Sequence, residues 1–171
     1  KMKKHLTYVL AIICLVIIGC ENGNPTGEDN DDYTSVTTSD TTSESWYYNL
    51  ATGAAVTSSE SWHISVQGVI VDPNYPANPS VILGNDVYVS VSETEEFATA
   101  TMPAMNTFSV TTDNVSFNGS DEILTYSHTT HLVTTSSKVY FIYDTLTHKV
   151  YKVSFDEYSC VPHVSSFFYD V

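Results

Sequence analysis

The stretch that decides the fold class is K-V-Y-F-I-Y-D-T-L-T-H-K-V-Y-K-V-S-F, residues 138–155. It holds two short runs of β-branched and aromatic residues, separated by D-T-L-T-H, residues 144–148. Runs of this composition on either side of turn-forming residues are typical of two paired strands. The stretch therefore predicts a β-hairpin.

The same pattern continues outward from this hairpin. Other short segments place apolar side chains at every second position: residues 61–67, 86–92, 106–111 and 114–118, followed by a last strand candidate at 165–170. No window shows the stripe of an amphipathic helix. The sequence predicts an all-β protein whose residues 46–171 form a single sandwich-like antiparallel β-domain.

The N-terminus predicts export. Three lysines precede an apolar run that is too short for a membrane span, as in a signal peptide covering residues 1–19. The run ends V-I-I-G-C, which resembles a bacterial lipobox and predicts lipidation of Cys20. A plain signal peptide or anchor helix is the alternative. Of the cysteines, only Cys160 would remain free, so the mature domain has no intramolecular disulfide.

Residues 20–45 carry little that could be buried. This stretch is acidic and then rich in serine and threonine, a composition typical of a disordered, self-repelling tether. The expected arrangement is a lipid-anchored β-domain held away from the membrane by residues 20–45.

The charge excludes some partners. The formal net charge is −14, and all six basic residues are lysines, three of them in the signal segment. Such a chain cannot neutralise phosphates, so nucleic-acid binding is excluded, and the lipid has to anchor the protein without help from basic side chains.

No catalytic motif is present. The sequence contains no nucleophile elbow, no phosphate-binding glycine loop, no H-E-x-x-H and no paired Cys-x-x-Cys. A serine–histidine–aspartate trio could be chosen from any sequence this rich in serine. We therefore expect a binding protein and not an enzyme.

Two clusters could ligate a metal or a cofactor. T-M-P-A-M-N contributes Met102 and Met105, with a loop predicted at the proline between them, and Y-S-H-T-T-H contributes His128 and His131. Thioether sulfur and imidazole nitrogen are axial ligands of haem iron. The alternatives are that the methionines fill the core and that the histidines are exposed polar residues.

Geometry separates the histidine hypotheses. On a strand, His128 and His131 would point to opposite faces, so at most one could reach a given iron. In a turn, both could approach a small ion such as zinc, with Asp121 or Glu122 nearby. A strand is the expected structure here. His63 is expected to pair with a core partner, and His148, in the hairpin turn, to be solvated.

Two segments resemble a known family. W-Y-Y-N-L-A-T-G-A-A-V (46–56), followed by S-S-E-S-W-H-I-S-V (58–66), resembles the opening of HmuY-like haem-binding lipoproteins, and residues 138–155 resemble their C-terminal hairpin. The chain departs from that family where His63 replaces the usual aspartate after the second tryptophan.

The resemblance implies haem as the cofactor, with ligands from the segments before the hairpin. Of the four candidates, it favours Met105 and His131 as the iron ligands. It also implies capture of haem for iron acquisition and transfer to a TonB-dependent receptor. Glu21 stands directly after Cys20, where an aspartate would favour the inner membrane, so the expected location is the outer membrane, facing the periplasm or the cell surface. The alternative is a cofactor-free surface domain that binds a protein or glycan through its many tyrosines.

Overall fold

The hairpin at residues 138–155 forms the centre of an antiparallel β-structure. The computed structural model describes residues 33–67, 71–72, 75–76, 79–92, 96–130, 132–160 and 163–170. Over these residues the strands are β1 (Thr34–Thr37), β2 (Trp46–Asn49), β3 (Ala54–Val56), β4 (Ile64–Gln67), β5 (Val71–Asp72), β6 (Tyr75–Pro76), β7 (Ser80–Leu83), β8 (Val87–Ser92), β9 (Leu124–Tyr126), β10 (Val133–Thr135), β11 (Val139–Asp144), β12 (Lys149–Cys160) and β13 (His163–Asp170). The predicted all-β class is confirmed.

The larger sheet has five strands in the order β1-β13-β12-β11-β8, all antiparallel. In β11, Tyr140 and Ile142 face one core cluster, whereas Val139 and Phe141 face a second cluster on the opposite side. A strand covered on both faces needs apolar side chains at successive positions. This explains why the run V-Y-F-I-Y does not alternate with polar residues.

A second sheet closes the main core. Its strand order is β3-β2-β4-β7. The Tyr48 ring of β2 lies 5.7 Å from the Phe167 ring and 6.0 Å from the Tyr169 ring of β13, both edge to face. Ile64 and Val66 of β4 are fully buried in the same cluster. The two sheets therefore share one core, as the sandwich-like prediction requires.

Two short pairs complete the strands: β5 pairs with β6, and β9 pairs with β10. The prediction of strands at residues 106–111 and 114–118 is wrong. These segments form 3₁₀ helices at Met105–Thr107 and Asp113–Val115, with one isolated bridge from Ser109 to Val89. Val110 is 65% exposed, so the period-two pattern here does not correspond to a buried face.

The folded part begins earlier than predicted. Residues 34–37, expected to belong to the tether, form β1 and pair with β13 at the edge of the larger sheet. Val36 is buried in the main core opposite Phe167. The tether prediction is therefore wrong for this stretch, because a single apolar residue among serines and threonines is enough when an edge strand offers hydrogen bonds. Residues 1–32, which include Cys20, lie outside the described residues.

Candidate functional site

The predicted methionines lie on a loop that covers the outer face of the larger sheet. We call residues 96–112 the methionine loop. Ala100 is buried against Val139 and Phe141, and Phe97 and Phe108 pack around them. Paired backbone hydrogen bonds between Val89 and Ser109, 3.0 and 2.9 Å, fix the end of the loop to β8. The loop is thus anchored at both ends.

Both methionine side chains of this loop are exposed. Met102 is 58% exposed and Met105 is 53% exposed. Core filling is the usual role of methionine, and these exposures exclude it here. Both methionine side chains therefore present surface to solvent.

The histidine segment forms a turn and not a strand. The Ser127 amide donates to the Leu132 carbonyl at 2.9 Å and closes a turn over residues 128–130 between β9 and β10. His128 is exposed, with its ring edge to face against Tyr126 at 5.0 Å. The expected strand is wrong, so the argument that residues three apart face opposite sides does not apply. His131 lies outside the described residues.

The structure gives no direct link between the two clusters. Among the described residues, no hydrogen bond or ring contact joins Met102 or Met105 to His128. The carboxylates suggested for a small-metal site have other partners, since Asp121 pairs with Lys138 at 3.0 Å and Glu122 accepts from the Asn118 amide at 2.9 Å. No group of three His, Cys, Asp or Glu side chains suited to a metal was found among the described residues.

The structure does place aromatic rings beside the methionine loop. Tyr88 and Tyr143 are directly opposite each other on β8 and β11, with ring centroids 6.1 Å apart. Phe108 of the loop lies 6.4 Å from the Tyr143 ring, and the Tyr143 hydroxyl lies 2.7 Å from Nδ1 of His148. We call these four residues the aromatic patch.

Sequence reasoning missed the aromatic patch. His148 is exposed, as expected, but its ring is held by Tyr143 and is not simply solvated. The available signal was the position of Tyr88 and Tyr143, each offset by one from core residues of its own strand. What could not be foreseen is that β8 pairs with β11 in the register that makes them neighbours.

His63 has the buried partner that the sequence predicts. Its Nε2 lies 3.1 Å from Oδ2 of Asp144, and both side chains are almost fully buried. Nδ1 accepts the Leu50 amide hydrogen bond at 2.9 Å. An imidazole whose Nδ1 is an acceptor carries its proton on Nε2, so His63 donates to the carboxylate.

Asp144 is the centre of this network. Its Oδ1 accepts from the Leu146 amide at 2.8 Å and the Thr147 amide at 3.3 Å, and its Oδ2 accepts from the Thr147 hydroxyl at 2.6 Å. Burial by itself would raise the pKa of the Asp144 carboxyl, but these hydrogen bonds and the one from His63 hold that pKa below its usual value. Asp144 is therefore a structural carboxylate that fixes the hairpin turn.

A separate cleft opens beside β8. It measures about 280 Å³ and is lined mainly by polar side chains, among them Ser90, Thr107 and Asn114. Ligand pockets usually measure about 300–1,000 Å³ and are largely apolar. Of the candidate ligands that the structure describes, none of Met102, Met105 and His128 lines this cleft. It is not the place for a large apolar cofactor.

No helix among the described residues is long and apolar enough to span a membrane.

Comparisons with known proteins place few constraints on this chain. No protein-family model and no curated protein sequence matches it. Among solved structures, it is similar to "Crystal structure of Apo PinO from Porphyromonas gingivitis", with 11% sequence identity and a TM-score of 0.49, over 81% of this chain and 96% of that one. A TM-score of this size does not establish a common fold, and nothing about function follows from it.

Proposed function

We propose that this chain is a haem-binding envelope lipoprotein, similar to the HmuY-like proteins, that captures haem for iron acquisition. In this proposal it passes haem to a TonB-dependent outer-membrane receptor. The observation that supports the proposal most is the exposure of Met102 and Met105 on a loop anchored beside the aromatic patch.

The chemistry of these groups suits haem. Thioether sulfur is an axial ligand of haem iron, and the porphyrin is a flat apolar ring that needs aromatic or aliphatic surface. Exposed large apolar side chains are costly in water, and their concentration in one region marks a binding surface. Here Met102, Met105 and Val110 are all more than half exposed within one loop.

Anchoring through Cys20 belongs to the same proposal. The lipobox-like V-I-I-G-C and the acidic stretch that follows support it. Metabolic labelling with a clickable fatty acid in a bacterial host should label the chain, and Cys20→Ala should abolish the label. Labelling that persists in Cys20→Ala would contradict this anchor.

The first test is a haemin titration of the purified chain, followed in the Soret region. The wild type should show a saturable band at one equivalent. Met105→Ala should weaken binding by about tenfold, which is about 1.4 kcal/mol, and should change the reduced spectrum because the sulfur ligand is lost.

Val110→Ala is the control for ligation, since Val110 is exposed on the same loop but has no donor atom. Its reduced spectrum should equal that of the wild type, because no iron ligand is lost. Unchanged spectra in both Met102→Ala and Met105→Ala would contradict a methionine ligand, and a band that only follows free haemin would contradict haem binding altogether.

A cofactor-free surface domain is the second candidate. The exposure of Tyr88, 38%, and of Leu146, 62%, favours recognition of a glycan or protein. In that case haemin titration shows no saturable band. Binding to a glycan array would then be lost in Tyr88→Ala and retained in Met105→Ala.

A further inference from the structure

We propose that His148, oriented by the Tyr143 hydroxyl, supplies the imidazole that ligates haem iron on the aromatic patch. This inference rests on the proposed haem-binding function and names a ligand that lies within the hairpin turn itself. It differs from the sequence prediction, which placed the imidazole at His128 or His131.

The backbone of His148 is firmly held. Its φ is 58°, a left-handed conformation that is uncommon for residues other than glycine, although asparagine, aspartate and histidine adopt it more often than most. The His148 amide donates to the Asp144 carbonyl at 2.9 Å, and the Asp144 side chain binds the Leu146 and Thr147 amides of the same turn. These hydrogen bonds therefore fix the backbone position from which the His148 side chain projects.

The ring of His148 is held as well. Nδ1 lies 2.7 Å from the Tyr143 hydroxyl, and the two ring centroids are 6.2 Å apart. Histidines that bind metals commonly donate from one ring nitrogen to a fixed acceptor, which leaves the lone pair of the other nitrogen for the metal. With its proton on Nδ1, His148 donates to the Tyr143 oxygen, and Nε2 is available on an exposed side chain.

The surroundings connect His148 to the methionine loop. The Phe108 ring contacts the Tyr143 ring, and the Phe108 amide lies 3.4 Å from the Met105 carbonyl. The loop that carries Met105 and the turn that carries His148 thus both adjoin Tyr143. By contrast, the ring partner of His128 is Tyr126, on a different hairpin. The patch therefore combines an imidazole donor with aromatic surface in one place.

The test uses haemin and the purified full chain, with His148→Gly as the main variant. Glycine tolerates the positive φ, so the turn should survive, and the missing side chain leaves room for free imidazole. We expect His148→Gly to lose at least about tenfold in affinity and to lose the low-spin spectrum, and added imidazole should restore that spectrum. His148→Asn, which also tolerates positive φ, serves as a second variant without rescue.

Two further variants separate ligation from structure. Tyr143→Phe removes only the hydroxyl that orients His148, so the low-spin spectrum should persist while affinity falls several-fold. His128→Ala is the matched histidine control and should bind haemin as the wild type does.

The outcomes are distinguishable. If the wild type shows no saturable haemin band, the proposed function fails and this inference fails with it. If the wild type binds haemin, but His148→Gly keeps the wild-type spectrum, the inference is overturned while haem binding stands. Loss of the low-spin spectrum in His128→Ala instead would also overturn it.

Discussion

At the scale of single residues, the buried pair of His63 and Asp144 joins the two sheets. His63 precedes β4 of the smaller sheet, and Asp144 ends β11 of the larger one. A buried carboxylate is tolerated when hydrogen bonds satisfy both of its oxygens. Asp144 meets this condition because each carboxylate oxygen accepts two hydrogen bonds. The pair fixes the position of the hairpin turn relative to the smaller sheet.

Replacing the Asp144 carboxylate should show how much its hydrogen bonds stabilise the fold. In Asp144→Asn, the amide nitrogen replaces one acceptor oxygen, so two of the four hydrogen bonds lose their acceptor. We expect the free energy of unfolding at neutral pH to fall by about 2–4 kcal/mol, measured by urea denaturation. Asp113→Asn, at an exposed position, is the control and should change it by less than about 0.5 kcal/mol.

The stability of Asp144→Asn relative to the wild type should also depend on pH. Because the folded-state pKa of Asp144 is depressed, its stabilising contribution is present above the usual aspartate pKa of about 3.9 and is lost as the pH falls through the folded-state value. The difference in the free energy of unfolding between the wild type and Asp144→Asn should therefore become smaller as the pH falls into the acid range. A difference that stays constant from pH 7 to pH 3 would contradict this assignment.

At the scale of elements, β1 shows how little sequence signal an edge strand needs. Its neighbour β13 offers a row of backbone groups, and Val36 alone among the four β1 residues is buried. Edge strands are stabilised by ladder hydrogen bonds and one buried face, so three polar residues do not prevent the pairing. A stretch with the composition of a tether can thus be part of the domain.

Two substitutions on β1 test this pairing. Val36→Asp buries a charge in the main core and should lower the free energy of unfolding by at least about 2 kcal/mol. Ser35→Asp, at the adjacent exposed position, should have little effect. Equal and negligible changes in both variants, measured by thermal unfolding, would mean that residues 34–37 do not belong to the folded domain.

Strands with a long alternating or apolar run were predictable, whereas β1, β7 and the loops were not. The hairpin of β11 and β12, and the strands β4, β8 and β13, were foreseen because their side chains alternate or run apolar along a buried ladder. Residues 106–111 alternate as well, but Phe108 packs on the outer face while Val110 is exposed. Alternation of apolar and polar residues alone does not distinguish a strand from a loop whose side chains pack onto the face of a sheet.

At the scale of the whole molecule, charge repulsion opposes folding. Twenty acidic residues face six lysines. Among the described lysines, Lys138 pairs with Asp121 and Lys152 lies over the Phe97 ring at 4.7 Å. Few lysines are therefore left to offset the negative charge of the remaining carboxylates. Added salt should weaken the repulsion between these carboxylates.

Raising NaCl from about 0.01 M to about 0.15 M shortens the screening length from about 30 Å to about 8 Å. The thermal unfolding midpoint should rise accordingly. KCl is the control and should give the same rise, because screening depends on ionic strength and not on the identity of the ion. A midpoint that stays level or falls with salt would contradict dominant self-repulsion.

Taken by itself, the sequence determined the all-β class, the central hairpin, the core position of His63 and the acidic composition. These follow from local periodicity, turn chemistry and composition, which are properties of neighbouring residues. Only the tertiary structure decided that Met102 and Met105 are exposed, that residues 128–130 form a turn, and that Tyr88, Phe108, Tyr143 and His148 adjoin one another. Those features depend on strand register and on how a loop lies across a sheet, which are set by contacts between residues far apart in the chain.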